Sequence, residues 1–442
     1  MIRRPLRIAT TEQLARSVRE AGFETFVLPP IPSLDFNRSL QRRLADGPVY
    51  LEFLRKNDIE MVLDFNGDAL TVIPGGGNPG DVQITAASLG IPHVACYLDP
   101  ITSTMAESSW GDHWHVLESN TWIKWIWENA HSDELRKLGI PNVLTMPMAA
   151  ANDDFDTGPL PEPASGPIVA FMGHPASSWF RSTQGVVPGQ LFAGLTAAAV
   201  RADMPDLSFH KIYYDLYQFG EPPLPTDDRA TRAAKAEQYF NAKFVYNAYL
   251  AVKQRDRFAR FLRLKLGDSF ELVGDHWETI YGLKHTPRVW DMKALHERMR
   301  RVPICLNLMK GNLETGLNIR HFEITAYGGF MLTYWTPELG ACFEIGKECD
   351  AFRDETELLD KIGYYLEHSK ERREIAAAGQ RRTLGEHQYS HRVTRLVEIL
   401  RQGGALPRLV AAAESPGAVV GGVAKREANR PERQRPVGSR HE

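Results

Sequence analysis

The chain has 442 residues, of which 43% are hydrophobic and 24% charged, with a formal net charge of -3. A single core rarely grows beyond about 250 to 300 residues, so this length calls for two or three domains of globular composition and excludes global disorder. The near-neutral balance excludes a whole-molecule field that would draw nucleic acid or an acidic membrane surface.

Four cysteines, Cys96, Cys305, Cys342 and Cys349, stand at spacings that suit neither a zinc site nor a disulfide framework, and they read as reduced, buried thiols. No run reaches the ~20 apolar residues of a membrane span and no secretory segment opens the chain, so a cytoplasmic protein is expected. Through residue 150 short apolar runs alternate with helix-length amphipathic stretches. Strands are expected at 6–10, 25–28, 61–65, 93–98 and 143–146, and helices at 12–21, 49–56, 82–89 and 132–138. Residues 114–118 and 122–127 are two further apolar runs. This alternation predicts an α/β domain over 1–150 with a parallel sheet covered on both faces, which binds ligands beyond the carboxyl ends of its strands.

Residues 151–166 carry Asn, Asp, Gly and Pro without apolar periodicity and read as an interdomain hinge. A strand at 168–172 then runs into Gly173-His174-Pro175 and opens a second α/β domain, 167–402, with a helical insertion at 182–265. The alternation resumes with strands at 270–273, 304–308 and 330–333 and helices at 292–299, 320–327, 355–368, 370–387 and 390–401. From 403 to 442 Pro, Gly, Ala, Arg and Glu dominate, and this tail is expected to be disordered.

The densest chemical signal runs from Lys310 to Gly329. An apolar strand ends at Leu308, a loop holding Glu314 and Gly316 follows, and a helix starts near Asn318. Such a start offers unpaired N–H groups and a positive dipole end to a phosphate. Arg320 adds a planar donor for phosphate oxygens and Lys310 a mobile charge. Glu323 shares a helical face with Arg320 and suits sugar hydroxyls. Gly328 and Gly329 let the helix stop and the backbone pass close to a ligand.

The run Gly-Leu-Asn-Ile-Arg-His-Phe-Glu, followed by Ala-Tyr-Gly-Gly-Phe-Met-Leu-Thr, Phe352-Arg-Asp-Glu-Thr-Glu-Leu and a closing His387-Gln-Tyr-Ser-His-Arg392, resembles the C-terminal domain of the CgeB-like (spore maturation protein-like) glycosyltransferases of the GT-B superfamily. The resemblance is ordered over 267–400, weaker over 60–175, and absent from the insertion and the tail. It implies two Rossmann-like domains with parallel sheets facing a cleft. A nucleotide-diphosphate sugar is then held by the C-terminal domain and an acceptor (glycan, protein or small molecule) by the N-terminal one, without a cofactor or an obligatory metal. By similarity Glu323 matches the carboxylate that holds the nucleotide ribose. The second Glu of many retaining members would fall at Thr315, with Glu314 one residue earlier. Either Glu314 takes that role through a loop adjustment or the sugar is held differently.

Gly173, His174 and Arg181 are secondary candidates for the diphosphate, against the plain reading of a strand-ending turn and a surface arginine. Asp99, at the end of a strand, is an acceptor base or positioner, or simply a turn residue before Pro100. The glycine run 74–80 lacks the Gly-Lys-Ser/Thr ending of a phosphate loop, and His113 and His115 have no third ligand at metal spacing. The expected activity is glycosyl transfer. The rivals are a non-catalytic two-lobed nucleotide or glycan binding protein and a nucleotide-sugar epimerase of the same fold.

Overall fold

The computed structural model describes residues 4–29, 40–75, 82–101, 114–159, 161, 166–177, 186–204, 207–309 and 313–404, without the side chains of 40–42, 114 and 115. The strands are β1 (Arg7–Thr10), β2 (Glu24–Val27), β3 (Met61–Phe65), β4 (Val72–Pro74), β5 (Val82–Ile84), β6 (His93–Cys96), β7 (Trp122–Ile126) and β8 (Val143–Thr145) in the first half. The second half holds β9 (Val169–Met172), β10 (Phe270–Val273), β11 (Ile304–Asn307), β12 (Met331–Tyr334) and β13 (Asp350–Phe352).

Two parallel sheets result, ordered β2-β1-β3-β6-β7-β8 and β10-β9-β11-β12-β13. Their central strands are buried along their whole length, as in His93–Cys96, Trp122–Ile126 and Val169–Met172. Unbroken burial is what helices on both faces of a parallel sheet impose, and it explains why these segments read as apolar runs rather than alternations. In each sheet the chain goes first to one side and then to the other, so each has a switch point, between β1 and β3 and between β9 and β11. The chain thus has two Rossmann-like domains.

Two expectations are corrected. Residues 82–89 do not form a helix: Val82 and Ile84 are buried while Gln83 is exposed, a period of two, and β5 pairs antiparallel with β4 before a single 3-10 turn at Ala87–Leu89. Residues 76–81 of the loop that joins them lie outside the described residues. The final helix, Tyr389–Gln402, returns to the first domain, where Tyr389, Val393, Leu396, Val397 and Leu400 join Ile8, Leu14, Met61 and Trp125 in one core.

The insertion is helical as expected, with Pro188–Asp203 packed on Arg229–Ala251. Gly194 makes that contact possible, since a Cβ there would lie 2.5 Å from the Ala242 carbonyl. The helix that follows, Arg257–Leu266, belongs to the second core through Phe258, Ala259 and Leu262. Phe209, Tyr213, Tyr239 and Tyr246 of the insertion lie in one apolar cluster with Trp127 of the first domain and Leu317 and Phe322 of the second. No helix of the described residues is long and apolar enough to cross a membrane. All four cysteines are free and buried.

Candidate functional site

The switch point of the second sheet lies beyond the ends of β9 and β11. Gly173 closes β9, its N–H donating to Val273 at 2.8 Å, and its carbonyl accepts from Trp277 Nε1 at 2.8 Å. A Cβ on Gly274 would sit 2.5 Å from that carbonyl, so glycine is needed where β9 and β10 end together. His174 follows, half-buried, with Nδ1 accepting from the Asp275 N–H at 2.9 Å; burial pushes its imidazole below the ordinary value.

Between these ends stands Arg255. Its guanidinium donates to the carbonyls of His174 at 3.3 Å and Leu308 at 3.2 Å, the residues that follow β9 and β11. The residue is 6% exposed. Burial lowers it to about 10 against the pull of Asp256, and Arg320 adds a smaller push in the same direction. Two guanidinium groups that repel each other at a switch point form a place prepared for an anion.

The helix Ile319–Ala326 begins beside them, as the sequence indicated. Asn318 occupies its N-cap position without capping it. Its side chain turns inward, Oδ1 meeting His321 Nδ1 at 2.9 Å and Asn307 Nδ2 at 3.2 Å, while His321 Nε2 reaches Thr333 at 3.0 Å. Burial holds His321 down at about 3, hence neutral, so this polar knot fixes the helix start to β11 and β12 without adding charge. No side chain caps this helix start, and of its first-turn N–H groups that of His321 donates to the Asn318 carbonyl at 3.2 Å.

Arg320 and Glu323 lie in that turn, 25% and 18% exposed at their side chains, and pair with each other at 2.8 Å. The two atoms meet outside hydrogen-bond alignment, and neither has another hydrogen-bond partner among the described residues. Glu323 bears electrostatically on His296 and on Tyr389 of the final helix, and Ile319 packs against the first-domain core. The helix start therefore faces the opposing domain.

Glu314 does not reach into the cleft. Its carboxylate is ion-paired with Lys243 of the insertion, which also meets Glu134 at 3.2 Å, and Tyr239 donates to Glu134. Burial alone would raise the Glu134 carboxyl, but Lys243, His131 and Tyr239 draw it down to about 2. Lys243, 4% exposed, is likewise raised by its two carboxylates against the opposing effect of burial. The Glu314 carboxylate is thus engaged by Lys243, and a role toward a ligand would require this pair to open. Gly316 closes the loop where a Cβ would lie 2.5 Å from the Glu128 Cβ.

Gly328 and Gly329 stand at the other end of the eight-residue helix, about 12 Å from its start at 1.5 Å per residue. Gly328 has φ +78 and ends the helix, and a Cβ on Gly329 would approach the Met299 carbonyl to 2.9 Å. Gly328 thus serves the helix stop and Gly329 a close packing contact, both at the end of the helix opposite Arg320. Asp99 lies beyond β6, its N–H donating to Asn66 Oδ1 at 3.3 Å, and faces the same end of the first sheet as Glu128 beyond β7. Lys310 and Arg181 lie outside the described residues. No group of three or more His, Cys, Asp or Glu suited to a metal occurs among the described residues.

Sequence reading missed Arg255, Lys243, Glu128 and Glu338. Arg255 sits in Lys253-Gln-Arg-Asp-Arg257, which looks like a solvated charge run, and its burial follows only from the way two strand ends converge over it.

Residues 254–398 match the family model described as glycosyl transferase-like. No curated protein matches. Among solved structures the chain is similar to a sucrose-phosphate synthase from Thermosynechococcus elongatus (11% identity, 91% of this chain and 100% of that one, TM-score 0.45). It is also similar to a glycosyltransferase from Rickettsia africae (9%, 90% and 98%, TM-score 0.42) and to HepE of Anabaena in complex with UDP and glucose (10%, 90% and 100%, TM-score 0.42). Arg255, Arg320 and Glu323 all fall inside the glycosyl transferase-like stretch that the family model covers, within a chain of two doubly wound domains.

Proposed function

We propose that this enzyme moves a sugar from a nucleoside-diphosphate donor, held at the switch point of the second domain, to an acceptor on the first. Within the superfamily its C-terminal pattern over 267–400 associates it with the CgeB-like transferases. The observation that carries the reading is the meeting of Arg255, buried between the ends of β9 and β11, with the open first turn that bears Arg320 and Glu323.

On this reading the donor diphosphate lies against that turn. Arg320 exchanges Glu323 for phosphate oxygens and Glu323 takes the ribose hydroxyls in return, so one poorly aligned pair becomes two sets of hydrogen bonds. As the bond from the anomeric carbon to the diphosphate breaks, negative charge grows on the leaving oxygens. With the diphosphate bound and Arg320 turned to it, Arg320, the neighbouring charge of Arg255 and the positive end of the helix stabilise that charge. These cations take the place of a metal. On this reading Asp99, beyond the end of β6, serves the acceptor, taking its proton as base or positioning it as it attacks the anomeric carbon.

UDP, GDP and TDP titrated against the thermal transition should reveal one nucleotide that raises the melting temperature, because a ligand that binds only the folded state stabilises it. The matching nucleotide sugar should then be consumed slowly even without acceptor. Binding without turnover would leave the two-lobed binding protein, and an isomerised sugar the epimerase. Absence of both binding and turnover would overturn the reading.

A further inference from the structure

The two domains hold each other at one place by a reciprocal exchange of hydrogen bonds. Glu128 is the residue before the helix Asn129–Lys137, with extended backbone (φ -134, ψ 153), yet its side chain does not cap that helix. It crosses to the other domain, where Oε2 accepts the consecutive N–H groups of Glu314, Thr315 and Gly316, each at 2.9 Å.

The helix it leaves uncapped is served from the opposite side. Glu338 Oε1 accepts the Asn129 N–H at 2.9 Å and the Thr315 hydroxyl at 2.6 Å, and Thr315 Oγ1 accepts the Ala130 N–H at 3.3 Å. Glu338 also donates its own N–H to the Thr315 carbonyl at 2.9 Å. Each domain thereby satisfies backbone groups that the other leaves open.

Two features show that the contact is built into the chain. Glu128 is 1% exposed, and a carboxylate so buried is held only where donors surround it. Gly316 is the residue that admits it, since any side chain there would meet the Glu128 Cβ at 2.5 Å and Trp127 Cδ1 at 3.2 Å. The gripped loop is the one that leads from β11 to Arg320, and Lys243 holds its Glu314 side chain from behind.

We propose that Glu128 and Glu338 are positioning residues of the transfer reaction: their clasp fixes the loop 314–316, and through it the start of the helix bearing Arg320 and Glu323, in the geometry that receives the donor diphosphate. This rests on the functional reading above. Burial raises the Glu128 carboxyl to about 7, against the pull of the loop N–H groups, so the clasp has a protonation state that changes near neutral pH.

The test compares Glu128→Ala, Glu128→Gln, Glu338→Ala and Thr315→Val with the wild type. The first readout is amide hydrogen exchange, which needs no ligand. Glu128→Ala should speed exchange at 314–316 at least about tenfold, and Glu338→Ala at 129–130, as expected when a buried donor loses its acceptor. The second readout is calorimetric titration with UDP, GDP and TDP, together with KM and kcat for the matching nucleotide sugar. Both alanine variants should weaken nucleotide binding and raise donor KM about tenfold, a difference of 1.4 kcal/mol, with a smaller change in kcat. Glu128→Gln, whose amide oxygen still accepts N–H groups, should recover most of the binding and flatten the pH dependence of donor KM around 7.

Unchanged exchange in Glu128→Ala would refute the clasp. Faster exchange with nucleotide affinity and KM within about twofold of wild type would refute the positioning role and leave a structural contact. Should Glu128→Ala fail to fold, Thr315→Val and Glu338→Ala decide the same question from the less buried side. If wild type binds no nucleoside diphosphate, the functional reading falls together with the positioning role, while the exchange data still judge the clasp by itself.

Discussion

Replacing Arg320 by Met separates the chemistry of the site from its stability. The Arg320–Glu323 pair is 2.8 Å long with side chains 25% and 18% exposed, so breaking it costs about 0.5 to 1 kcal/mol of folding stability. Leaving the Glu323 carboxylate unpaired adds about 1 kcal/mol, offset in part because Arg255 loses a like-charged neighbour. The melting temperature should fall by a few degrees, at about 2 to 4 °C per kcal/mol for a domain of this size. Donor turnover should suffer far more, because removing one preorganised donor from developing anionic charge costs about 100- to 1000-fold in kcat, or about 2.7 to 4 kcal/mol. Arg320→Lys should fall between, since the charge stays while the planar fork is lost. The measurements are donor consumption with the matching nucleotide sugar at 25 °C and calorimetric melting of the same preparations. Turnover within about threefold of wild type, or loss of rate that merely tracks the unfolded fraction, would refute the assignment.

Glu323→Ala should weaken nucleoside-diphosphate binding about tenfold by calorimetry, the value of one lost pair of ribose hydrogen bonds; unchanged affinity would remove Glu323 from that role. Gly329→Ala should destabilise by about 1 to 3 kcal/mol in urea titration, because its Cβ meets the Met299 carbonyl at 2.9 Å, and should leave nucleotide affinity unaltered. Lys243→Met leaves Glu134 and Glu314 buried without their cation and should cost about 3 to 5 kcal/mol. The same cluster sets an acid response. Glu134 lies below its ordinary 4.5, so the stability it carries is complete above about 4.5 and is lost as the pH falls toward about 2. Urea midpoints between pH 6 and 3 should therefore drop less steeply in Glu134→Gln than in wild type.

The parallel sheets were legible because burial on both faces forces unbroken apolar strands, and Val169–Met172 or Ile304–Asn307 admit no other reading. The helix bearing Arg320 and Glu323 was legible because its loop, start and glycine stop follow one another in sequence. What escaped was set by tertiary partners. Glu128 falls between the apolar run 122–127 and the helix expected at 132–138 and carries no local signal, and its partners at 314–316 lie more than 180 residues away. Arg255 and Lys243 look like surface cations on charged helices until two strand ends and two carboxylates enclose them. Gly328 and Gly329 read as a helix stop beside a binding motif; the stop is there, and the close approach of Gly329 to Met299 is a tertiary contact that the sequence did not show.

The chain crosses between the domains twice, and the crossings are fastened to each other. Ala150 donates to the His387 carbonyl at 2.8 Å and accepts from Tyr389 at 2.9 Å. Asn152 Oδ1 accepts the Ser390 N–H at 3.0 Å, and Arg392 donates to the carbonyls of Pro147 and Met148. A second set of contacts between the domains forms where Glu128 and Glu338 meet the loop 314–316, with Lys243 of the insertion paired to Glu314. The loop that leads to Arg320 is thus also the loop by which the first domain and the insertion hold the second, and under the proposed function donor binding and this contact share one short segment.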